Sequence, residues 1–158
     1  MRSILRFSAA LALVSIPAAG VAAQEIPVAP DKIPAVVMAA LHSRFPAAKI
    51  DKCVREQEGK QTVYDIEFEQ NGRKGEADIT AAGIYINFET AIPAASLPKP
   101  VRDAIEKRYR GATFVEVMEE TEVKGKDEKV SAYEVVLKTA AGKQIEVRLS
   151  PDGKILES

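Results

Sequence analysis

From residue 33 onward, the apolar positions follow first a helical and then a strand period. Ile33, Val37, Ala40, Leu41 and Phe45 fall at i, i+4, i+7, i+8 and i+12, a single stripe that predicts an amphipathic helix. Pro34 sits in its first turn, where a missing N–H costs nothing, and Pro46 stops it just past the last apolar residue. Tyr64, Ile66 and Phe68 then alternate with Asp65, Glu67 and Glu69, and Ala77 and Ile79 with Glu76 and Asp78, the period of half-buried strands. Asn71-Gly72 and Ala82-Gly83 supply turns, and a further strand is expected over residues 49–57.

The same pattern then returns. At an offset of 64 residues, Ile33-Pro34 meets Leu97-Pro98, Val37 meets Val101, Leu41 meets Ile105, Arg44 meets Arg108 and Phe45 meets Tyr109. After two short insertions the offset becomes 70, and Gly72 meets Gly142, Glu76 meets Glu146, Ile79 meets Leu149 and Gly83 meets Gly153. Tyr133, Val135 and Leu137 repeat the strand alternation, as do Ile145, Val147 and Leu149. Apolar, small and turn positions staying in phase over this length indicate a duplication. The expected fold class is α+β: two tandem repeats, each one helix followed by a four-stranded antiparallel meander. The helices should pack on one apolar sheet face, leaving the other face polar and wet. The repeats span residues 33–92 and 93–158, after a tail at 24–32. The linker at residues 91–96, with Pro93, is so short that the copies should abut; whether they share one sheet is open at this point.

Residues 1–23 have a different character. Arg2 and Arg6 precede an apolar run from Ala9 to Ile16, helix-breaking Pro17 and Gly20, and the small residues Val21-Ala22-Ala23. That is the order of a secretory signal, with a cut expected after Ala23. The apolar run falls short of the roughly 20 residues a spanning helix needs, so no membrane span is expected in the mature chain. Losing Arg2 and Arg6 leaves 20 basic against 23 acidic residues, and this mixed, near-neutral balance argues against nucleic acid as a partner. Cys53 is the only cysteine, so no internal disulfide can form.

The residues that carry the repeat also carry a resemblance. These are Ile33-Pro34 and Leu97-Pro98 opening the helices, and Phe45-Pro46-Ala47-Ala48-Lys49-Ile50 and Tyr109-Arg110-Gly111-Ala112 closing them. Tyr64-Asp65-Ile66-Glu67-Phe68, Tyr133-Glu134-Val135-Val136-Leu137 and the Gly83 and Gly153 turns complete the set. With them the chain resembles the PepSY-like family, in particular its beta-lactamase-inhibitor-like group, over nearly all of residues 33–157. Arg110 departs from the pattern where the first copy has Pro46. The resemblance implies a small exported domain that binds other proteins or the cell envelope. Some PepSY domains are thought to restrain peptidases, and the beta-lactamase inhibitory protein docks enzymes on the concave sheet of two similar repeats.

Candidate chemistry is sparse. The single histidine, His42, lies off the apolar stripe beside Ser43 and reads as solvated, so no base stands ready for a nucleophile. Cys53 aligns with Val117 and reads as a small buried apolar residue. Without a cysteine and histidine cluster, zinc of the usual kind is excluded, and no cofactor is expected. Glu119, Glu120, Glu122 and residues 124–129 read as a solvated, charged hairpin tip. The alternation projects Tyr85, Asn87, Val136, Glu146 and Arg148 onto the wet face, where they are the expected contacts for a protein partner in the envelope. An acidic stripe of Asp65, Glu67, Glu76 and Asp78, with Glu69 beside it, is the alternative, suited to a cation or small cationic ligand. The expected function is an exported, non-catalytic binding module, periplasmic or secreted, that binds or restrains another protein.

Overall fold

The computed structural model describes residues 25–158; the expected signal segment and its cut after Ala23 lie outside the described residues. A short strand β1 (Ile26–Pro27) and a 3-10 turn (Pro30–Lys32) lead into helix α1 (Ala35–Arg44). Strands β2 (Lys49–Glu58), β3 (Gln61–Gln70), β4 (Arg73–Thr80) and β5 (Tyr85–Ala91) follow. A second 3-10 turn (Ala94–Ser96) then enters helix α2 (Lys99–Arg108), and β6 (Thr113–Lys124), β7 (Asp127–Lys138), β8 (Gln144–Leu149) and β9 (Ile155–Glu157) complete the chain.

The strand order corrects the expectation of two tandem helix-plus-meander units. The described strands form one antiparallel sheet of nine, in the order β1 to β9, on which two helices of only ten residues each are laid. The class is still α+β, but the sheet is not divided at the repeat boundary, and β1 extends it beyond the first meander. The junction is a ladder between β5 and β6, with Asn87 opposite Glu122, Glu89 opposite Glu120 and Ala91 opposite Met118. The reason is backbone chemistry. Separate meanders would leave β5 and β6 as edges with rows of unpaired N–H and C=O groups, and a connection this short lets them pair instead.

The core is less unified than the sheet. Ile33, Val37, Leu41 and Phe45 pack under α1 against Tyr64, Ile66, Phe68, Ala77 and Ile79, with Cys53 among them. Leu97, Val101 and Ile105 pack under α2 against Val117, Tyr133, Val135, Leu137, Val147 and Leu149. Each fully buried aliphatic side chain contributes about 1.5–3 kcal/mol. The first cluster is more aromatic: the Phe45 ring lies 4.6 Å from Phe68 and 5.8 Å from Phe88, centre to centre.

Each helix is also held at its first turn by a glycine. Gly83 has φ +77°, and a Cβ there would come within 3.0 Å of the Val36 carbonyl oxygen. Gly153 has φ +84°, and a Cβ there would collide with the Pro100 carbonyl. The turns at these two duplicated positions therefore press directly on the helix backbones. The Arg44 guanidinium stacks 4.4 Å from the centre of the Phe88 ring and, across the β5–β6 seam, pairs with Glu128 of β7. The tip of the β6–β7 hairpin is thus tied to α1 rather than left wholly to solvent.

Candidate functional site

Both helices cover the same face of the sheet, so the opposite face is built from the alternate residues of each strand, and the register sets them in rows. One row runs Lys52, Glu67, Glu76, Glu89, Glu120 and Ala132 from β2 to β7. Beside it runs Val54, Asp65, Asp78, Asn87 and Glu122. On the other side lie Met118, Glu134, Arg148 and Glu157, and then Glu116, Val136 and Glu146. Four glutamates therefore stand directly opposite one another on four consecutive strands, roughly 5 Å apart.

This face is not uniformly wet, which corrects a second expectation. Glu76, Asp78, Glu89, Glu120 and Glu134 are all buried, and Glu89 is only 3% exposed. Bulges interrupt the register at Ile50/Lys52, Asp78/Ile79, Phe114/Glu116, Glu120/Thr121 and Arg148/Leu149. Bulges bend and twist strands, so this face is not a flat ladder surface. The Asp78/Ile79 bulge also moves Tyr85 to the other face. Asp78 pairs with Asn87 but Ile79 pairs with Tyr85, so residues 85 and 87 point to opposite sides. Tyr85 packs against the first core cluster and its hydroxyl donates to the Ala40 carbonyl of α1 at 3.2 Å. It does not belong with the open face.

Asn87, Val136, Glu146 and Arg148 lie in rows of the open face. Asn87 Nδ2 donates to Asp78 Oδ2 at 3.0 Å. Arg148 donates from Nε and Nη2 to Glu120 Oε2, at 2.9 and 2.6 Å, and its Nε lies 3.5 Å from Glu134 Oε1. Ser131, lifted by the Glu120/Thr121 bulge, donates its hydroxyl to Glu120 Oε1 at 2.8 Å. Glu120 is thereby held by two donors, whereas Oε2 of Glu89 and Oδ1 of Asp65 are buried without a hydrogen-bond partner.

Crowding of like charges away from water raises the carboxyl pKa values. Burial, then the charges of Glu134 and Glu120, pushes Glu89 up to about 9. Burial, with Glu146 and Glu120, pushes Glu134 up to about 7. Glu76 is raised furthest, by burial and then by the charge of Asp65. Asp65 is raised by burial first, and the adjoining Glu76 partly offsets this. The predicted stripe of Asp65, Glu67, Glu76 and Asp78 thus lies together on β3 and β4, with Asp65 and Glu76 raised by burial and Lys52 bonded to Glu67 at 2.8 Å at its margin.

Among the described residues, the carboxylates whose oxygens converge to within 4.8 Å of one another are Glu89, Glu120 and Glu134. Alternation alone places Glu134 on the open face. Glu89 and Glu120 meet it only through the β5–β6 ladder and the bulge at Glu120, neither of which has a sequence signature. His42 is exposed, with Nδ1 near the Phe45 carbonyl at 3.3 Å, and Cys53 is buried, its thiol pushed up to about 11 mainly by burial.

A family model described as beta-lactamase-inhibitor-like, PepSY-like matches the chain twice, over residues 20–81 and 62–157. A comparison with curated proteins found no match. Among solved structures, a BLIP-like protein of Bacteroides fragilis is 21% identical with a TM-score of 0.52, over 78% of this chain and 83% of that one. A DUF2874 family protein of Bacteroides uniformis is 20% identical with a TM-score of 0.57, over 78% and 86%. A candidate periplasmic protein of Bacteroides eggerthii is 16% identical with a TM-score of 0.58, over the same shares. At these identities the three structures speak to the fold, while the two family matches together span the sheet and both helices: the chain belongs to the beta-lactamase-inhibitor-like, PepSY-like family.

Proposed function

We propose that this protein is an exported, non-catalytic binding module that holds a protein partner in the bacterial cell envelope on its open sheet face, and that peptidases are the class of partner it restrains. The observation that carries the reading is the continuity of that face. It runs unbroken across the repeat boundary through the β5–β6 ladder and presents Asn87, Val136, Glu146 and Arg148 from three strands. Membership of an inhibitor-like family and the secretory order of residues 1–23 support it. The rim of the face is acidic, with Glu67, Glu122, Glu146 and Glu157 around the buried centre, which suits a partner presenting lysine or arginine.

The test is capture from an envelope extract at several salt concentrations. The wild-type protein should retain a partner that Val136→Arg with Glu146→Lys loses, while Glu106→Lys on the exposed side of α2 keeps it. Equal capture by the open-face variant would refute the assignment of the face. Repeated recovery of nothing by the wild-type protein would refute the binding role.

A further inference from the structure

We propose that Glu89, Glu120 and Glu134 form a binding site for one divalent metal ion of calcium's size, at the seam between the two halves of the sheet. The ligand oxygens of the three residues lie within 4.8 Å of one another. Calcium takes oxygen ligands at about 2.4 Å, so oxygens that all lie within 4.8 Å of one another can share a single ion. Magnesium demands near-ideal octahedral geometry and gives up its waters reluctantly, so three carboxylates fixed on a sheet suit calcium better.

Geometry of an acidic cluster alone would not suffice, and a second observation points into this one. Glu89 is more than nine-tenths buried, yet its Oε2 has no hydrogen-bond partner. A buried carboxylate oxygen without a donor carries a desolvation cost that nothing in the described protein offsets. A coordinated cation is the partner such an oxygen lacks. The other two carboxylates are already held in place: Glu120 by Arg148 and Ser131, and Glu134 by its approach to Arg148. Those contacts leave a pre-organised acceptor set, with Glu89 as its third arm.

Charge makes the same demand. Once ionised, the three carboxylates and one guanidinium sum to a charge of minus two, which one divalent ion balances as it displaces the protons that Glu89 and Glu134 otherwise hold. The donor set is oxygen throughout, with neither sulfur nor imidazole, which selects a hard cation over zinc or copper. The three ligands come one each from β5, β6 and β7, so the ion would bind across the ladder that joins the halves. The site is independent of the partner-binding role, since the purified chain alone should take up the ion.

Calorimetric titration of the purified, EDTA-stripped and dialysed protein with calcium chloride tests this. One calcium should bind per chain, with a dissociation constant below roughly 1 mM, the weak end for extracellular calcium modules. Glu89→Gln keeps the shape but removes a charge, and should weaken binding by about tenfold or more. Asp65→Asn, on β3 outside the triad, should bind within about twofold of wild type. Circular dichroism confirms that each variant is folded; should Glu89→Gln fail to fold, Glu134→Gln is read by the same criterion. No heat above dilution up to roughly 10 mM calcium overturns the proposal. So does unchanged binding by the glutamine variant, a loss in Asp65→Asn as large as in Glu89→Gln, or tighter binding of magnesium than of calcium. Failure here leaves the capture experiment unaffected, and failure of capture leaves this titration unaffected.

Discussion

The unusual chemistry of this protein is concentrated in a few carboxyl groups. Glu76, Glu89 and Glu134 have pKa values raised by burial and by neighbouring carboxylates. In an unfolded chain each would titrate near the ordinary glutamate value of about 4.3. Between that value and the folded pKa, the folded state therefore holds protons that the unfolded state has lost, so stability falls as pH rises, by about 1.4 kcal/mol per pH unit for each proton retained. For Glu134 the window closes near pH 7, and for Glu89 near pH 9. In the presence of a chelator, the urea midpoint should be higher at pH 5 than at pH 8; a midpoint that rises over this range would show that these groups titrate normally. Part of this was legible in sequence. Alternation marked Glu76 and Glu134 as lying opposite the core residues, and Cys53 and His42 are placed as buried and exposed, as their patterns suggest. Tyr85 was misread because one bulged residue reverses the face of everything beyond it, and nothing in Ile84-Tyr85-Ile86-Asn87 announces the bulge.

At the scale of elements, helices and turns are the most legible features. The apolar stripe from Ile33 to Phe45 places α1 at Ala35–Arg44, and its copy places α2 at Lys99–Arg108. The glycine turns were visible as punctuation, but their contact with the helices was not, because the approach of a turn to a helix backbone is a tertiary fact. A substitution can separate the two roles. Gly142 and Gly153 have similar positive φ values, +81° and +84°, but a Cβ at Gly142 meets nothing within 4 Å while one at Gly153 strikes the first turn of α2. Gly142→Ala should cost about 1 kcal/mol, the backbone term alone, and Gly153→Ala clearly more, with α2 displaced. Chemical denaturation of both variants measures the difference; equal losses would mean that the contact with Pro100 is not a constraint.

For the whole molecule, the phase of the pattern led to an expectation of two tandem units, while the single nine-stranded sheet that the chain forms was not readable. A repeat offset tells which residues are equivalent, yet pairing between β5 and β6 depends on backbone groups that carry no sequence code. That pairing shapes everything functional: it makes the open face continuous, and it brings Glu89 of one half beside Glu120 and Glu134 of the other. Arg44, stacked on Phe88 and paired with Glu128, reinforces the same seam from the helix side. Amide hydrogen exchange read residue by residue tests this seam most directly. The hydrogen-bonded amides of the β5–β6 ladder, over residues 87–91 and 118–122, should exchange as slowly as those of the central β3–β4 ladder, through unfolding of the whole sheet. Exchange there as fast as at the Gly125 turn, with β3–β4 still protected, would mean that the halves are separate sheets and that neither the continuous face nor the three-carboxylate site exists.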